Sequence, residues 1–163
     1  MGSEYIGFLY VGLMIKNEKP YLIEFNVRMG DPECQTILPL LENDLSEIFF
    51  DCCVGKLSEK KIKLSNKKSI CIVLCSKGYP EDYKKDSEIS KLNKLSLKDN
   101  EYIYHAGTKL KDNKILNSGG RVLNFVSTSN NLKESRDDLI KLIKMLDWEN
   151  GFFRKDIAYK VID

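Results

Sequence analysis

The sequence predicts a mixed α+β fold, and three stretches of the chain support that class. Residues 7–15 and 20–27 are apolar runs rich in β-formers, and the short polar link between them is typical of a β-hairpin. Residues 69–76 form a short apolar run of the kind found in buried strands. Residues 131–146 carry leucine and isoleucine at helical spacing. Strands and helices therefore occur together without an internal repeat, which indicates the α+β class.

Two helices are predicted between the hairpin and the buried strand. Asp31 precedes Pro32, which fits an N-cap followed by proline at the first helical position, and a helix of about ten residues should follow. Asp44 is the candidate cap of a second helix that runs through Cys53. Residues 56–68 are rich in lysine and serine and have few large apolar side chains, so we expect a loop or an edge hairpin there.

The rest of the chain is predicted to be rich in strands, with one long helix at residues 131–146. Turn sequences at residues 111–113 and 117–120 separate short β segments. The predicted strands are residues 69–76, 102–109, 114–116, 121–128 and 152–157. The lysine-rich segment marks the predicted domain boundary, with a first domain at residues 4–60 and a second at residues 61–163.

The composition is that of a soluble globular protein. The chain has 163 residues, of which 42% are hydrophobic and 31% charged, and its net charge is +2. Lysines are scattered among acids, so we expect no nucleic-acid partner. The sequence has neither an apolar stretch long enough to span a membrane nor a signal peptide, so we expect no membrane partner. An odd number of cysteines, five, predicts reduced thiols in the cytoplasm, with Cys71 and Cys75 as small core residues.

The strongest local signal for chemistry is the run LIEFNVR at residues 22–28. Side chains alternate along a strand, so Glu24, Asn26 and Arg28 should share one face. A carboxylate and an amide oxygen suit Mg²⁺, and a guanidinium can hold a phosphate through two hydrogen bonds. The alternative is a half-exposed strand with a Glu24–Arg28 ion pair on its wet side. The opposite face is apolar and should face a core; it consists of Ile23, Phe25 and Val27.

Six segments, in order along the chain, resemble the glycinamide ribonucleotide synthetase family, which comprises phosphoribosylamine–glycine ligases. Two of them are residues 5–14 (YIGFLYVGLM) and 23–35 (IEFNVRMGDPECQ). The others are SKGYP at 76–80, HAGT at 105–108, GGRVL at 119–123 and FRKDI at 153–157. The resemblance covers nearly the whole chain. It implies the closing strands and helices of an ATP-grasp unit, followed by a small β-rich C-terminal domain.

The resemblance also implies an activity, that of an ATP-dependent carbon–nitrogen ligase of de novo purine synthesis. ATP phosphorylates the glycine carboxylate to an acyl phosphate, which the amine of 5-phosphoribosylamine then attacks. In this family Mg²⁺ or Mn²⁺ is the metal, and Glu24 and Asn26 match its ligands. Arg28 is the candidate catalytic group that stabilises the acyl phosphate.

Further candidates for substrate binding follow from the same resemblance. Asp31 and Glu33 should lie near the substrate, at a helix N-terminus whose free N–H groups suit an anion. Arg154 and Lys155 are candidate phosphate contacts, and the alternative for both is an ordinary surface charge.

Gly119, Gly120 and Arg121 have two interpretations. Paired glycines allow a backbone to approach a ligand closely, and the arginine could reach a phosphate. The alternative is a plain hairpin turn followed by an exposed arginine.

The resemblance begins partway through the ATP-grasp unit. The N-terminal domain of the family, its lid and most of its nucleotide contacts lie upstream of the matching segment. We therefore expect this chain to be inactive alone, to expose apolar surface that the missing strands cover, and to need the N-terminal part of the enzyme as its partner. Two alternatives are one half of a split ligase and a non-catalytic binding or assembly module derived from the same domain.

Overall fold

A computed structural model describes residues 2–162 of the protein. The chain divides into two compact units, Met1–Ser65 and Asn66–Asp163, which we call the first and second units. Asp163, the last residue of the second predicted domain, lies outside the described residues. The domain bounds 4–60 and 61–163 stay a prediction.

The first unit begins with the predicted β-hairpin. Strands β1 (Tyr10–Lys16) and β2 (Lys19–Asn26) are antiparallel and form a two-stranded sheet. Asn17 and Glu18 connect them with positive φ angles of 50° and 61°, as in the tight turns that match the twist of a hairpin. The pairing register shifts once, because Gly12 lies opposite Glu24 whereas the next residue, Leu13, lies opposite Leu22. Ile23 is therefore the extra residue of a β-bulge immediately before Glu24.

The first helix is shorter than the ten residues predicted. Helix α1 spans only Glu33–Ile37 and continues as a 3₁₀ turn, Leu38–Leu40. Pro39 lies in that turn and has no N–H to donate to the preceding helical turn, which accounts for the early end of α1. The cap prediction is also wrong, since the cap position falls on Pro32 and no side chain caps the helix.

The second helix follows its prediction. Helix α2 spans Leu45–Cys53, and the Asp44 carboxylate caps it by accepting hydrogen bonds from the backbone N–H groups of Ser46 and Glu47, at 2.8 and 3.3 Å. After α2 the chain forms a loop that contains a 3₁₀ turn, Leu57–Glu59, and includes an isolated bridge between Leu41 and Leu64. Ion pairs from Lys60 to Glu47 and Asp51 fasten this loop to α2.

The second unit is built on a four-stranded antiparallel sheet with the strand order β4-β7-β3-β8. The bounds of these strands are β3 Lys68–Ser76, β4 Glu101–His105, β7 Arg121–Ser129 and β8 Gly151–Phe152. Helix α3 (Leu132–Leu146) packs against the sheet and confirms the predicted helix. The core between them includes fully buried side chains: Ile72, Leu123, Phe125, Leu139 and Leu146.

A second hairpin interrupts the predicted strand at residues 102–109. This segment breaks at Gly107 into β4 and a separate strand, β5 (Thr108–Lys111), which pairs with β6 (Lys114–Asn117). At the break, the Gly107 carbonyl accepts a hydrogen bond from the Ser118 N–H at 2.7 Å, and the Gly107 N–H donates to the Arg121 carbonyl at 2.8 Å. A Cβ at residue 107 would lie 2.6 Å from that carbonyl oxygen, so this crossing of two chain segments requires glycine.

The last predicted strand, residues 152–157, is also wrong. Only Gly151 and Phe152 pair with the sheet, as β8. The segment that follows is fastened by the side chain of Arg136, which donates hydrogen bonds to the carbonyls of Lys155 and Ile157. These two carbonyls therefore bond to a helix side chain and not to a neighbouring strand.

None of the five cysteines forms a disulfide, and Cys71 and Cys75 are buried in the sheet, as predicted. In the described part of the chain, no helix is long and apolar enough to cross a membrane.

The apolar face of β2 is not covered within this chain. The exposed fractions of Ile23, Phe25 and Val27 are 62%, 59% and 72%. The prediction that these residues face a core is therefore wrong for the chain as it stands. The expectation that the first unit exposes apolar surface is confirmed.

Candidate functional site

Two oxygen-bearing side chains lie at the end of the first hairpin. Glu24 follows the β-bulge and is exposed opposite Gly12, while Asn26 is the last residue of β2 and is half-buried. Bulges often redirect a side chain next to a functional site, and here the bulge at Ile23 sets where Glu24 emerges. Because Glu24 and Asn26 lie two residues apart beyond the bulge, they share a face of the strand.

These two side chains suit a hard metal ion. Among residues 2–162, neither the Glu24 carboxylate nor the Asn26 amide has a hydrogen bond or an ion pair, so their oxygens are available. Within the same residues, no group of three or more His, Cys, Asp or Glu side chains could hold a metal ion. The site therefore offers two oxygen donors, a number typical of Mg²⁺ sites that take their other ligands from water and phosphates.

Arg28 lies where strand alternation did not predict it. Strand β2 ends at Asn26 and the chain bends, so Arg28 is not on the continuing face of the strand. Its guanidinium donates a hydrogen bond to the Met29 carbonyl at 3.0 Å, and the alternative ion pair with Glu24 is not formed. The carboxylate residue that shares a cavity with Arg28 is Glu33.

Arg28 and Glu33 line a cavity of about 230 Å³. Gly30 forms part of its wall, and apolar side chains that include Phe8, Leu9 and Ile37 form much of the rest. The cavity thus combines apolar walls with one guanidinium and one carboxylate, the composition common in small-molecule sites. The sequence indicated both charged residues but not their shared cavity, and it did not single out Gly30.

Asp31 and Glu33 have different surroundings. The Asp31 carboxylate accepts a hydrogen bond from the Gln35 side chain at 2.9 Å and is exposed, whereas Glu33 is half-buried in the first turn of α1. Because α1 has only five residues, its dipole is small, and we do not assign an anion site to its N-terminus. The Gln35 side-chain oxygen is buried and has no partner among the described residues.

The segment Gly119–Arg121 is not a hairpin turn. It connects β6 to β7, and these strands belong to different sheets, so the plain-hairpin alternative is wrong. The Tyr79 ring packs over Gly120, where a Cβ would lie 2.1 Å from the ring. The need for glycine at residue 120 therefore comes from packing within the protein.

The backbone of this segment is already engaged. The Ser76 N–H donates to the Gly120 carbonyl at 2.7 Å, and the Ser76 hydroxyl donates to the Gly119 carbonyl at 2.9 Å. The Arg121 side chain is exposed at the start of β7. Burial raises the pKa of the Cys75 thiol, and the nearby Arg121 charge opposes that rise in pKa.

Arg154 pairs with Asp156. Its guanidinium donates two hydrogen bonds to the two carboxylate oxygens, at 3.0 and 2.7 Å, and both residues are exposed. This pairing raises the pKa of Arg154 and lowers the pKa of Asp156. Lys155 is exposed, and its carbonyl accepts a hydrogen bond from Arg136. A phosphate that bound Arg154 would compete with a carboxylate already in place.

Comparison with protein families identifies both units. The family described as "Phosphoribosylglycinamide synthetase, C domain" matches residues 69–160, which is more than half of the chain. The family described as "Phosphoribosylglycinamide synthetase, ATP-grasp (A) domain" matches residues 1–34, the segment that contains Glu24, Asn26, Arg28 and Glu33.

Named relatives share this region along nearly the whole chain. A phosphoribosylamine–glycine ligase from Caldanaerobacter subterraneus subsp. tengcongensis is 45% identical over 96% of this chain and 37% of the relative. The ligase from Brucella melitensis is 37% identical over 100% of this chain and 38% of the relative. A trifunctional purine biosynthetic protein from Gallus gallus is 40% identical over 99% of this chain and 16% of its own length.

A solved structure gives the same result. The crystal structure of a phosphoribosylamine–glycine ligase from Thermotoga maritima superposes with a TM-score of 0.70 at 32% identity, over 92% of this chain and 36% of that one. The chain thus spans less than two-fifths of the length of the bacterial ligases it matches.

Proposed function

Because the chain belongs to the phosphoribosylglycinamide synthetase family, we propose that it forms the C-terminal part of a phosphoribosylamine–glycine ligase. The complete enzyme joins 5-phosphoribosylamine to glycine with ATP, through an acyl phosphate, in de novo purine synthesis. The observation that carries this proposal is the pair of uncommitted oxygen donors, Glu24 and Asn26, inside the segment that matches the ATP-grasp domain. Free thiols at all five cysteines fit a cytoplasmic enzyme.

Glu24 and Asn26 are the residues of this chain that would hold Mg²⁺ or Mn²⁺. Such an ion would neutralise negative charge on the phosphates of ATP. The two side chains would supply two of its oxygen ligands. Glu24 is exposed and Asn26 half-buried, so both side chains would be accessible to a metal–nucleotide complex.

Arg28 is proposed to stabilise the acyl phosphate. It lies four residues beyond Glu24 and lines the same cavity as Glu33. A guanidinium donates two parallel hydrogen bonds to a phosphoryl group, which gives both charge and geometry. Substrate contacts are proposed for Asp31, Glu33, Gly119, Gly120, Arg121, Arg154 and Lys155. Of these, Arg154 has the weakest support because its guanidinium is already paired with the Asp156 carboxylate.

The partner of the first unit is proposed to be the N-terminal part of the same enzyme. Its strands would cover the exposed apolar side chains of β2, such as Phe25 and Val27. The isolated chain is expected to be inactive, because most nucleotide contacts lie on that other part.

A complementation experiment tests the proposal. The upstream part of the Caldanaerobacter ligase, supplied as a separate chain or fused to this one, completes the enzyme; we call the fused form the completed ligase. ADP release that depends on both glycine and 5-phosphoribosylamine is expected from the completed ligase and from neither part alone. The matched control carries Glu24→Ala and should be inactive although folded.

Three outcomes separate the alternatives. Activity only on mixing the two separate chains supports a split ligase as well as the proposed role. Stable association without ADP release would identify a non-catalytic binding or assembly module. Turnover by the isolated, mass-verified chain would contradict the expectation that the upstream part is needed.

A further inference from the structure

Only two of the residues 2–65 are buried, and both are glycines. They are Gly12, in β1, and Gly30, just before α1. Each lies against the side chain of a candidate-site carboxylate. A Cβ at residue 30 would lie 2.0 Å from Oε2 of Glu33, and a Cβ at residue 12 would lie 3.1 Å from Cγ of Glu24.

Backbone conformation does not explain these glycines. The described glycines with positive φ are Gly7, Gly55 and Gly78, so neither Gly12 nor Gly30 has the positive φ that favours glycine. The Cβ of an alanine at residue 30 would occupy the space that the Glu33 carboxylate fills. The glycine is therefore required by the position of a neighbouring side chain.

The contact at Gly30 also differs in kind from those at structural glycines of this chain. A Cβ at Gly78 would lie 2.2 Å from a backbone oxygen, and a Cβ at Gly151 would lie 2.6 Å from the Trp148 ring, and neither neighbour can easily move. At Gly30 the neighbour is the free end of a flexible side chain. Alanine at residue 30 should therefore displace the Glu33 carboxylate at little cost in stability.

Glu33, whose carboxylate Gly30 accommodates, lines the same cavity as Arg28. Among the described residues, the Glu33 carboxylate has no hydrogen bond or ion pair, and it does not pair with Arg28. One cation and one unpaired anion in a small cavity complement a molecule that carries both charges. An amino acid is such a molecule, with its carboxylate toward the guanidinium and its ammonium toward the glutamate.

We propose that Gly30 is a positioning residue that keeps the Glu33 carboxylate in this cavity, where it receives the ammonium group of the amino-acid substrate. The inference rests on the proposed ligase function and assigns one group of glycine to one side chain. Glu33 is then the group that recognises the substrate, and Gly30 acts only through Glu33.

The experiment uses the completed ligase with Gly30→Ala, Glu33→Gln and the double variant. Gly2→Ala is the matched control, because a Cβ at residue 2 meets nothing within 4 Å. Gly30→Ala and Glu33→Gln should each raise the KM for glycine at least about tenfold, the scale of a lost hydrogen bond to a charged group. The KM for ATP and the thermal midpoint should stay unchanged in both single variants.

The double variant separates positioning from general damage. If Gly30 acts through Glu33, the double variant should have the same KM for glycine as Glu33→Gln alone, because the two changes remove one interaction. Additive effects, an unchanged KM in Gly30→Ala, or a large fall in its thermal midpoint would overturn the inference. A completed ligase that shows no glycine-dependent ADP release before any substitution would instead overturn the proposed function.

Discussion

The two units of this protein bury their apolar side chains to very different degrees. In the second unit the sheet and α3 enclose a core in which Ile72, Val122, Leu123, Phe125 and Leu139 have no exposed surface. In the first unit the buried residues of 2–65 are two glycines, and large side chains such as Phe25, Phe50 and Val27 remain exposed. The second unit therefore contains its own source of stability, whereas the first leaves much of its apolar surface exposed.

The largest expected effect lies in the first unit and concerns turnover. Glu24→Ala or Asn26→Ala in the completed ligase should lower turnover by roughly three orders of magnitude, because metal binding offsets charge on the phosphates. Thermal unfolding should change little, since neither side chain has a hydrogen bond or an ion pair among the described residues. Steady-state kinetics at saturating Mg²⁺ are the measurement, and near-normal turnover in either variant would show that these residues are not metal ligands.

A matched pair of phenylalanines tests the difference in burial directly. Phe125 is fully buried, so Phe125→Ala should destabilise the second unit by about 3–5 kcal/mol. Phe25 is 59% exposed, so Phe25→Ala should change stability by less than about 0.5 kcal/mol. Trp148, the single tryptophan, packs against the core of the second unit and reports its unfolding in urea. Equal losses of stability from the two substitutions would contradict the conclusion that the two units differ in how far their apolar side chains are buried.

Arg28 should matter for rate and not for stability. Arg28→Ala should lower turnover of the completed ligase roughly a hundred- to thousandfold, the usual cost of a lost transition-state donor. Arg28→Lys keeps the charge but loses the paired geometry, and a loss of at least about tenfold is expected. Both thermal midpoints should match that of the unsubstituted enzyme, because the side chain is exposed. Unchanged turnover in both variants would assign Arg28 to the solvated surface.

The smallest effects concern the two helix caps, one in each unit. The Asn131 side chain accepts hydrogen bonds from the N–H groups of Lys133 and Glu134, at 3.1 and 3.2 Å. Asn131→Ala should therefore lower the free energy of unfolding of the second unit by about 1 kcal/mol, measured from the urea-induced change in Trp148 fluorescence. Asp44→Ala should leave that transition unchanged, because Asp44 caps a helix of the first unit. A shift of the Trp148 transition in both variants would show that the two units unfold together.

The two helix caps, Asp44 and Asn131, differ in how the stabilisation they provide depends on pH. Hydrogen bonds from Ser46, then from the backbone, lower the pKa of Asp44 in the folded protein. This carboxylate therefore stabilises helix α2 fully above the pKa it has in the unfolded chain, about 4. The stabilisation is lost as the pH falls further, through the lower pKa that it has in the folded protein. The helicity of α2 should fall in that acid range, and Asp44→Asn should remove this dependence. The Asn131 cap does not titrate, so its effect should be constant across the same range.

Local patterns in the sequence predicted most elements but not their exact limits. The hairpin, α2 and α3 follow from turn residues, a capping aspartate and helical spacing, which act within a few residues of one another. The predicted strand at 102–109 failed because Gly107 is turned by contacts with Gly119 and Arg121, which are distant in sequence. Helix α1 is shorter than predicted because Pro39 lies in the 3₁₀ turn that ends it.

The candidate site was predicted in part for similar reasons. The Glu24-x-Asn26 pattern and strand alternation place two donors together, and that part needs only local geometry. Alternation does not predict the position of Arg28, because strand β2 ends at Asn26 and the chain bends at residues 27–28. The cavity shared by Arg28 and Glu33 depends on how α1 turns back toward β1, and the role of Gly30 depends on a side-chain rotamer. Neither is encoded in a local pattern.

The first hairpin has a consequence for handling the protein. A two-stranded sheet leaves one hydrogen-bonding edge of each strand open, and such edges recruit further strands and lead to aggregation. Natural edge strands are protected by charges, but here the charges of β1 and β2 are Lys16, Lys19 and Glu24, two of them at the turn. Purified alone, the chain should stay monomeric only at low concentration.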